Sequence, residues 1–448
     1  MIELLLINPS LDFERDQGKL RSLSVESEIP RQQSPHIGIG YLLATAKLTG
    51  LQAKYIDMVA YGVSTDQLLQ YINGNTPLLI GFTAFTIQIK AAGFIAEEIK
   101  KHFPHIPIGV GGAHATIIPK KTLEEFNSFD FVVRGEGELA LRQILENLVN
   151  KQDTSFSSIK GVATRDKKDL SYDEIKDLDS LPFPAWEEFD LTKYPGADPH
   201  RTKLELLVST SRGCPFSCVF CCRPFGRRRR RRAITSIIKE IERNINDFGC
   251  EAIYFTDETF IVDLEQSEEL FHSMIKRGLD KKIRWSCEAR VDIASPELFR
   301  LMKRAGCYYV FFGFESGDDT VLKNAEKGIT VSQIRRSVEW AKDAGLTCAG
   351  SFILGLPGET EESANKSIEL AKELDIYSTT FPIAVPFPGT EIREMVTEDK
   401  YGLRILSNNW DDYGKQYPGV MDSKQLNIEQ LRALQKKAYE YNPKEKLL

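Results

Sequence analysis

Along the first 150 of the chain's 448 residues, hydrophobic positions fall in two alternating rhythms. Short, nearly unbroken apolar runs at 2–7, 52–57, 77–82, 106–110 and 129–133 predict strands, and amphipathic stretches at 38–49, 63–73, 86–102 and 137–150 predict helices. Strands that are apolar on both faces need helices on both sides, so the alternation predicts a parallel, doubly wound sheet. Such sheets bind ligands at the carboxyl ends of their strands, near the point where strand order reverses. The turns at those ends are Asn8-Pro9-Ser10, Thr83-Ala84-Phe85, Gly111-Gly112-Ala113-His114 and Arg134-Gly135-Glu136-Gly137-Glu138. Small residues there let a bulky planar ligand approach the backbone, although glycines after strands also serve simply as tight turns.

The same alternation returns from 200 to about 390, with strands expected at 204–209, 252–256, 283–287, 308–312, 348–354 and 378–384. Helices are expected at 234–247, 264–276, 295–305, 331–344 and 361–374. Six βα units suit a partial (βα)6 TIM-like barrel, whose active site would gather at the C-terminal strand ends. The stretch between the halves, 151–199, reads as a connector: a small hairpin near Ile159, then the Pro-rich, extended Leu178-Asp-Ser-Leu-Pro-Phe-Pro-Ala185. An amphipathic helix from Ile428 to Tyr441 makes 391–448 a small helical cap. The layout is therefore α/β throughout: 1–150, 151–199, 200–390 and 391–448.

Composition narrows the class. Hydrophobic residues make up 42% and charged residues 27%, as in ordinary globular proteins. Net charge is −6, from 58 Lys and Arg against 64 Asp and Glu, which disfavours nucleic acid as the main partner. No apolar run approaches a membrane span, and the N-terminus reads as a buried strand rather than a signal peptide.

The chemistry concentrates in Arg212-Gly213-Cys214-Pro-Phe-Ser-Cys218-Val-Phe-Cys221. Three thiolates at this C-x3-C-x2-C spacing can hold three irons of a [4Fe–4S] cluster and leave the fourth iron open for a small molecule. A structural zinc site needs a second pair of ligands, yet Cys250, Cys287, Cys307 and Cys348 are isolated and Cys222 points elsewhere. A disulfide framework does not suit a long chain whose cysteines sit in apolar runs. A redox dithiol needs only C-x2-C. Free thiols and an oxygen-sensitive cluster point to a reducing cytoplasm.

This loop, between the 204–209 strand and the helix that follows, resembles that of the radical S-adenosylmethionine (SAM) superfamily, with Phe220 as its aromatic residue. The resemblance implies that Cys214, Cys218 and Cys221 bind the cluster and that the open iron holds the methionine part of SAM. Further matches are Pro35-His-Ile-Gly-Ile-Gly-Tyr41, Gly111-Gly-Ala-His-Ala115 and Arg134-Gly-Glu-Gly-Glu138, which resemble the cobalamin-binding domain fused to class B radical SAM enzymes. That domain is similar to flavodoxin, and the likeness implies cobalamin contacts at Thr83, Gly111, Gly112, His114, Gly135, Glu136 and Gly137. The D-x-H-x-x-G motif is absent, Asp12 being its nearest candidate, so cobalamin would bind without a histidine from that motif. His114 either approaches the cobalt face or is a surface-turn residue.

At the second-half strand ends, family likeness implies SAM contacts from Glu258, Arg290, Glu315 and Ser316. Glu258, in Thr256-Asp-Glu-Thr-Phe260, would accept from the SAM ammonium, with Asp263 as the better cap of the next helix. Arg290 either clamps the SAM carboxylate or pairs with Asp292 or Glu288. Phe312-Gly-Phe-Glu315-Ser316-Gly317 resembles the family's F-G-x-E-S-G signature, a carboxylate suiting a ribose diol. Lys327-Gly-Ile-Thr330 and Pro386-Phe-Pro-Gly-Thr390 match the same family, and Glu359 suits a helix cap.

The unbroken tract Arg227–Arg232 is a solvated charge run, a docking patch for an acidic electron donor or an anion site; the first two rank ahead. The resemblance implies a cobalamin-dependent radical SAM methyltransferase acting on an unactivated carbon or phosphorus of a small-molecule or lipid substrate. Flavodoxin or ferredoxin would be its electron donor. The alternative is an oxidative cyclase or rearrangement enzyme on the same scaffold, without methyl transfer. The arginine tract also raises an RNA-modification reading, against which stands the lack of a second cysteine set or an RNA-binding tail.

Overall fold

The computed structural model describes residues 3–10, 34–150, 155–167, 169–194, 204–293, 295–414 and 419–441. Asp12 lies outside the described residues. The chain divides into two compact units, Met1–Gly196 and Ala197–Leu448.

In the first unit the elements run β1 (Leu4–Asn8), α1 (Ile37–Leu48), β2 (Ala53–Asp57), α2 (Met58–Tyr61), α3 (Thr65–Asn75), β3 (Leu79–Thr83) and α4 (Ile89–His102). They continue with β4 (Ile108–Gly111), α5 (Ala113–Ile117), α6 (Pro119–Glu125), β5 (Phe131–Val133), α7 (Gly137–Val149) and β6 (Val162–Ala163). Strand order is β2-β1-β3-β4-β5-β6, with every pair parallel except β5–β6. This is the flavodoxin-like order, and it reverses between β1 and β3. All five β1 residues are buried, as a strand covered on both faces requires. Within the run expected as a hairpin, Val162–Ala163 forms β6 at the sheet edge.

The second unit begins with β7 (Glu205–Val208), β8 (Ser211–Arg212), β9 (Arg230–Arg231), α8 (Ile234–Phe248), β10 (Ala252–Phe255), α9 (Leu264–Lys276), β11 (Arg284–Ala289) and α10 (Pro296–Arg304). Next come β12 (Cys307–Glu315), α11 (Asp319–Asn324), α12 (Val331–Asp343), β13 (Thr347–Phe352), α13 (Glu361–Leu374) and β14 (Ser378–Thr380). The parallel order β7-β10-β11-β12-β13-β14 is sequential, which is the strand sequence of a partial barrel. Asp263 caps α9 by accepting from Gln266 N at 3.2 Å, as its sequence position suggests.

The final elements are α14 (Glu391–Thr397), β15 (Leu403–Ile405), β16 (Met421–Ser423) and α15 (Ile428–Glu440). The C-terminal region is thus not purely helical, since β15 and β16 form an antiparallel pair. Strands this short carry too little periodicity to be read from sequence.

Candidate active site

The cysteine loop is built between two anchored ends. At the end of β10, the buried Asp257 accepts from Thr210 N at 3.0 Å, Thr210 Oγ1 at 2.8 Å and Ser211 Oγ. That fastens the chain leaving β7 to its neighbour strand. β8 then pairs antiparallel with β9, Ser211 opposite Arg231 and Arg212 opposite Arg230, so the loop leaves and returns along one narrow ribbon. Gly213 sits at φ +93°, where a Cβ would lie 2.3 Å from the Arg228 carbonyl oxygen; only glycine fits. Cys214 N donates to Gly226 O at 3.2 Å. The far side is held by Val219, whose N–H donates to Ala325 O and whose carbonyl accepts from Ile392 N. Val219 belongs to a core cluster with Val321, Ala325, Leu356 and Ile392, and Phe220 packs against that cluster.

The three thiols lie along this frame, near enough to act on one another electrostatically. Cys214 and Cys218 are buried, and burial pushes the Cys218 and Cys221 thiols up, Cys221 to about 12, with its neighbours Cys218 and Cys214 pushing the same way. Lys327 and Arg290 oppose the rise at Cys218. Among the described residues no three His, Cys, Asp or Glu side chains converge on a single ion. Three thiols grouped around a loop fit a larger iron–sulfur unit, which takes one sulfur at each of three corners. Proton release from such raised thiols would accompany cluster uptake.

Charged groups ring the loop. Glu258 Oε2 accepts from Gly213 N at 3.2 Å, while its buried Oε1 has no partner and burial raises its pKa. An unpartnered buried carboxylate oxygen beside the cysteine loop fits an incoming ammonium. Thr259 Oγ1 lies 3.6 Å from Cys214 Sγ. Glu315 sits at φ +66°, a strained position for a non-glycine, and its Oε1 accepts from the buried Lys327 Nζ at 2.7 Å. Gly313 leaves room for that pair: a Cβ there would lie 2.4 Å from Glu315 Oε1.

Two of the expected SAM contacts are partnered within the protein. Arg290 takes the second of its two expected readings, a pair with Asp292. It donates to both oxygens of Asp292 at 3.0 Å and to Lys327 O at 2.6 Å, and stacks 3.7 Å from the Phe216 ring centre. Its remaining arm points to Cys218 Sγ at 3.9 Å. Ser316 is fully buried and turned the other way, accepting from Asp318 N at 3.2 Å and lying 3.4 Å from Ser367 Oγ of α13. Nor is Glu359 the cap of α13, because Thr360 fills that post. The Glu359 carboxyl is buried against Gly355 N, and burial lifts its pKa to about 8.

In the first unit the carboxyl ends of β3 and β4 come together. Gly112, at φ +95°, is exposed and lies so near Ala84 that a Cβ would sit 2.7 Å from its carbonyl oxygen. Thr83 and Gly111 are half-buried beside it, and Phe85 and Ile87 are exposed. Among the described residues this edge exposes the small Gly112 and the apolar Phe85 and Ile87, groups that suit a flat macrocycle. Three expected contacts point elsewhere. His114 is 1% exposed, its Nδ1 is 3.2 Å from Thr86 Oγ1, and burial lowers its pKa to about 4; it is neither a surface-turn residue nor turned outward. Glu136 is buried and accepts from Ile175 N at 2.8 Å. The space beside Gly135 is taken by Tyr172, whose ring a Cβ would meet at 2.4 Å. Gly137 opens α7.

Sequence reasoning passed over Lys327, Thr259 and Gly213 as site-building residues. The one signal for Lys327 was its place inside the family-like run Lys327-Gly-Ile-Thr330.

Comparison with known proteins agrees with both halves. Residues 208–371 match the Radical SAM superfamily, and residues 30–145 match the B12 binding domain. An uncharacterized methyltransferase of Pyrococcus horikoshii is 32% identical over 90% of this chain and 87% of its own length. Cytidylyl-2-hydroxyethylphosphonate methyltransferase of Streptomyces wedmorensis is 26% identical over 88% of this chain and 82% of its own. The fold is shared with the radical SAM methyltransferase TsrM of Kitasatospora setae, solved with cobalamin and a [4Fe–4S] cluster: TM-score 0.74, 18% identity, 98% of this chain and 91% of that one. The chain belongs to the cobalamin-dependent radical SAM enzymes, alongside the methyltransferases of that family.

Proposed function

We propose that the chain transfers a methyl group to an unactivated carbon or phosphorus of a small-molecule or lipid substrate. The observation that carries this reading is the loop of Cys214, Cys218 and Cys221, braced on both sides and bordered by the unpartnered oxygen of Glu258. When bound, the iron–sulfur cluster and SAM supply a radical that removes a substrate hydrogen, and cobalamin carries the methyl group.

The protein's part is position and charge. The three cysteines would hold the cluster. Glu258, with its unpartnered Oε1, would accept from the SAM ammonium. Glu315, aimed by its strained backbone and neutralised on one oxygen by Lys327, accepts from SAM hydroxyls with the other. Arg290 holds the Cys218 corner rather than the SAM carboxylate. Thr83, Gly111 and Gly112 would border the corrin, with Gly135, Glu136 and Gly137 shaping the adjacent turn and His114 supporting the β3 end through Thr86. The electron donor is an acidic carrier such as flavodoxin or ferredoxin. No helix among the described residues is long and apolar enough to cross a membrane, and free cysteines support a reducing, cytoplasmic setting.

The test is anaerobic reconstitution with iron, sulfide and cobalamin, then analysis of SAM products with candidate substrates. Methyl transfer yields S-adenosylhomocysteine together with 5′-deoxyadenosine. Formation of 5′-deoxyadenosine and altered substrate with no S-adenosylhomocysteine would overturn it in favour of cyclisation or rearrangement.

A further inference from the structure

The six-arginine tract that follows the cysteine loop is two sets of residues with different work. One set is sunk into the second unit. Arg230 and Arg232 are buried; Arg232 donates to Ser209 O at 2.8 Å and Ser236 Oγ at 3.2 Å and pairs with the fully buried Glu240. Arg229 is half-buried and donates to Ser211 Oγ at 3.0 Å and Phe260 O at 3.2 Å. Arg231 is exposed but pairs with Asp263.

The other set, Arg227 and Arg228, is exposed, and among the described residues neither has a carboxylate within ion-pair distance. Arg227 only donates to Ser217 Oγ at 3.0 Å, and Ser217 is itself the residue before Cys218. Arg228 presents its side chain while its carbonyl oxygen packs on Gly213, the residue before Cys214. Two uncompensated cations thus stand beside the cysteine loop, in the segment just before β9, whose arginines are tied into the second unit.

We infer that Arg227 and Arg228 form the docking surface for an acidic one-electron carrier protein that reduces the cluster. The inference rests on the reading that the loop carries a cluster. The chain as a whole is slightly acidic, at −6, so two unpaired cations beside the loop give an acidic partner a local point of attraction. Placement beside the cysteine loop shortens the path an electron must cross. The step is simple to balance: the carrier's flavin hydroquinone or reduced iron–sulfur centre gives up one electron, and the cluster gains it. No bond is made or broken. An anionic substrate or RNA would be drawn by the same charges, and the measurements below separate them from the carrier.

The experiment uses the full chain reconstituted with iron and sulfide, mixed anaerobically with flavodoxin hydroquinone or with dithionite, and follows bleaching of the cluster absorbance. In Arg227→Gln/Arg228→Gln the second-order rate with flavodoxin should fall roughly tenfold at low ionic strength, and its salt dependence should flatten. The dithionite rate and the iron content should stay within twofold. Arg227→Lys/Arg228→Lys keeps the charge and should keep most of the flavodoxin rate. An unchanged flavodoxin rate in the Gln pair overturns the docking surface alone, as does equal loss in the Gln and Lys pairs. So does a Gln pair altered only in RNA binding or in substrate KM. A wild-type chain that takes up no iron overturns the cluster, and the docking surface with it.

Discussion

The two parallel sheets are built by the same rule and end in opposite ways. At the carboxyl edge of the first, the described residues Thr83, Gly111 and Gly112 are small and partly exposed, and two ionisable groups are turned inward: His114 toward Thr86, Glu136 toward the Ile175 amide. At the carboxyl edge of the second, thiols and charges crowd together and compensate one another: Arg290 with Asp292, Lys327 with Glu315, Glu258 with one amide and one oxygen unpartnered. On the proposed reading the first edge holds something large and already made. The second is shaped to fix a reactive group and stabilise charge around it. Holding needs clearance, so glycine dominates; reacting needs aimed dipoles and ions, so the backbone accepts strain at Glu315.

The largest break in that contrast is Cys218→Ala. Losing one of three cluster sulfurs should abolish 5′-deoxyadenosine formation while cobalamin retention, measured on the anaerobically desalted protein, stays within twofold. Full SAM cleavage in that variant would end the cluster assignment.

Next come two glycines, one per sheet. Gly213→Ala forces a Cβ to 2.3 Å from Arg228 O, and Gly112→Ala forces one to 2.7 Å from Ala84 O, both at positive φ. Each should cost on the order of 2–3 kcal/mol locally. Gly213→Ala should lower iron uptake several-fold and spare cobalamin; Gly112→Ala should do the reverse. Parallel losses in both variants would show that the two edges are not independent holders.

How much of this contrast was written in the sequence depends on its range. Strands and helices of both sheets were legible because each apolar run or helical stripe is a local pattern, and β1, α9 and α13 lie within two residues of their expected bounds. The cysteine loop was legible because its spacing is itself the ligand geometry. Side-chain direction was not. Ser316 and Glu315 are adjacent, yet a register shift near Gly313 and the positive φ at Glu315 send one to Ser367 and the other to Lys327. His114 looked like a turn residue because α5 is too short to announce itself. The arginine tract reads as one charge run, but its alternation of buried and exposed members follows from β9, a two-residue strand fixed only by its pairing with β8.

A smaller effect separates the sheets by pH. Burial lowers His114 from 6.5 to about 4, so between those values the unfolded chain binds the extra proton, and the first unit loses stability as pH falls from about 6.5 toward 4. Burial raises Glu359 from 4.5 to about 8, so the unfolded chain is the more ionised state, and the second unit loses stability as pH rises from about 4.5 toward 8. His114→Asn should remove up to about 3 kcal/mol of acid sensitivity, and Glu359→Gln should flatten the alkaline decline. Hydrogen exchange on peptides from each unit, at pH 5 and pH 8, reads the two slopes separately; slopes of the same sign in both units would refute the assignment.

The smallest expected effect sharpens the second sheet. Ser316→Ala removes a hydroxyl that accepts from Asp318 N and faces Ser367, fully buried and away from the cysteines. One amide at the start of α11 loses its partner, which costs about 1–2 kcal/mol. Because the Ser316 hydroxyl is engaged within the protein, SAM affinity, measured by equilibrium dialysis on the reconstituted protein, should stay within twofold while denaturation shows the small loss. Were SAM affinity to drop tenfold with stability unchanged, the family-like role of Ser316 would be restored. The reacting edge would then include a residue that the structure assigns to packing.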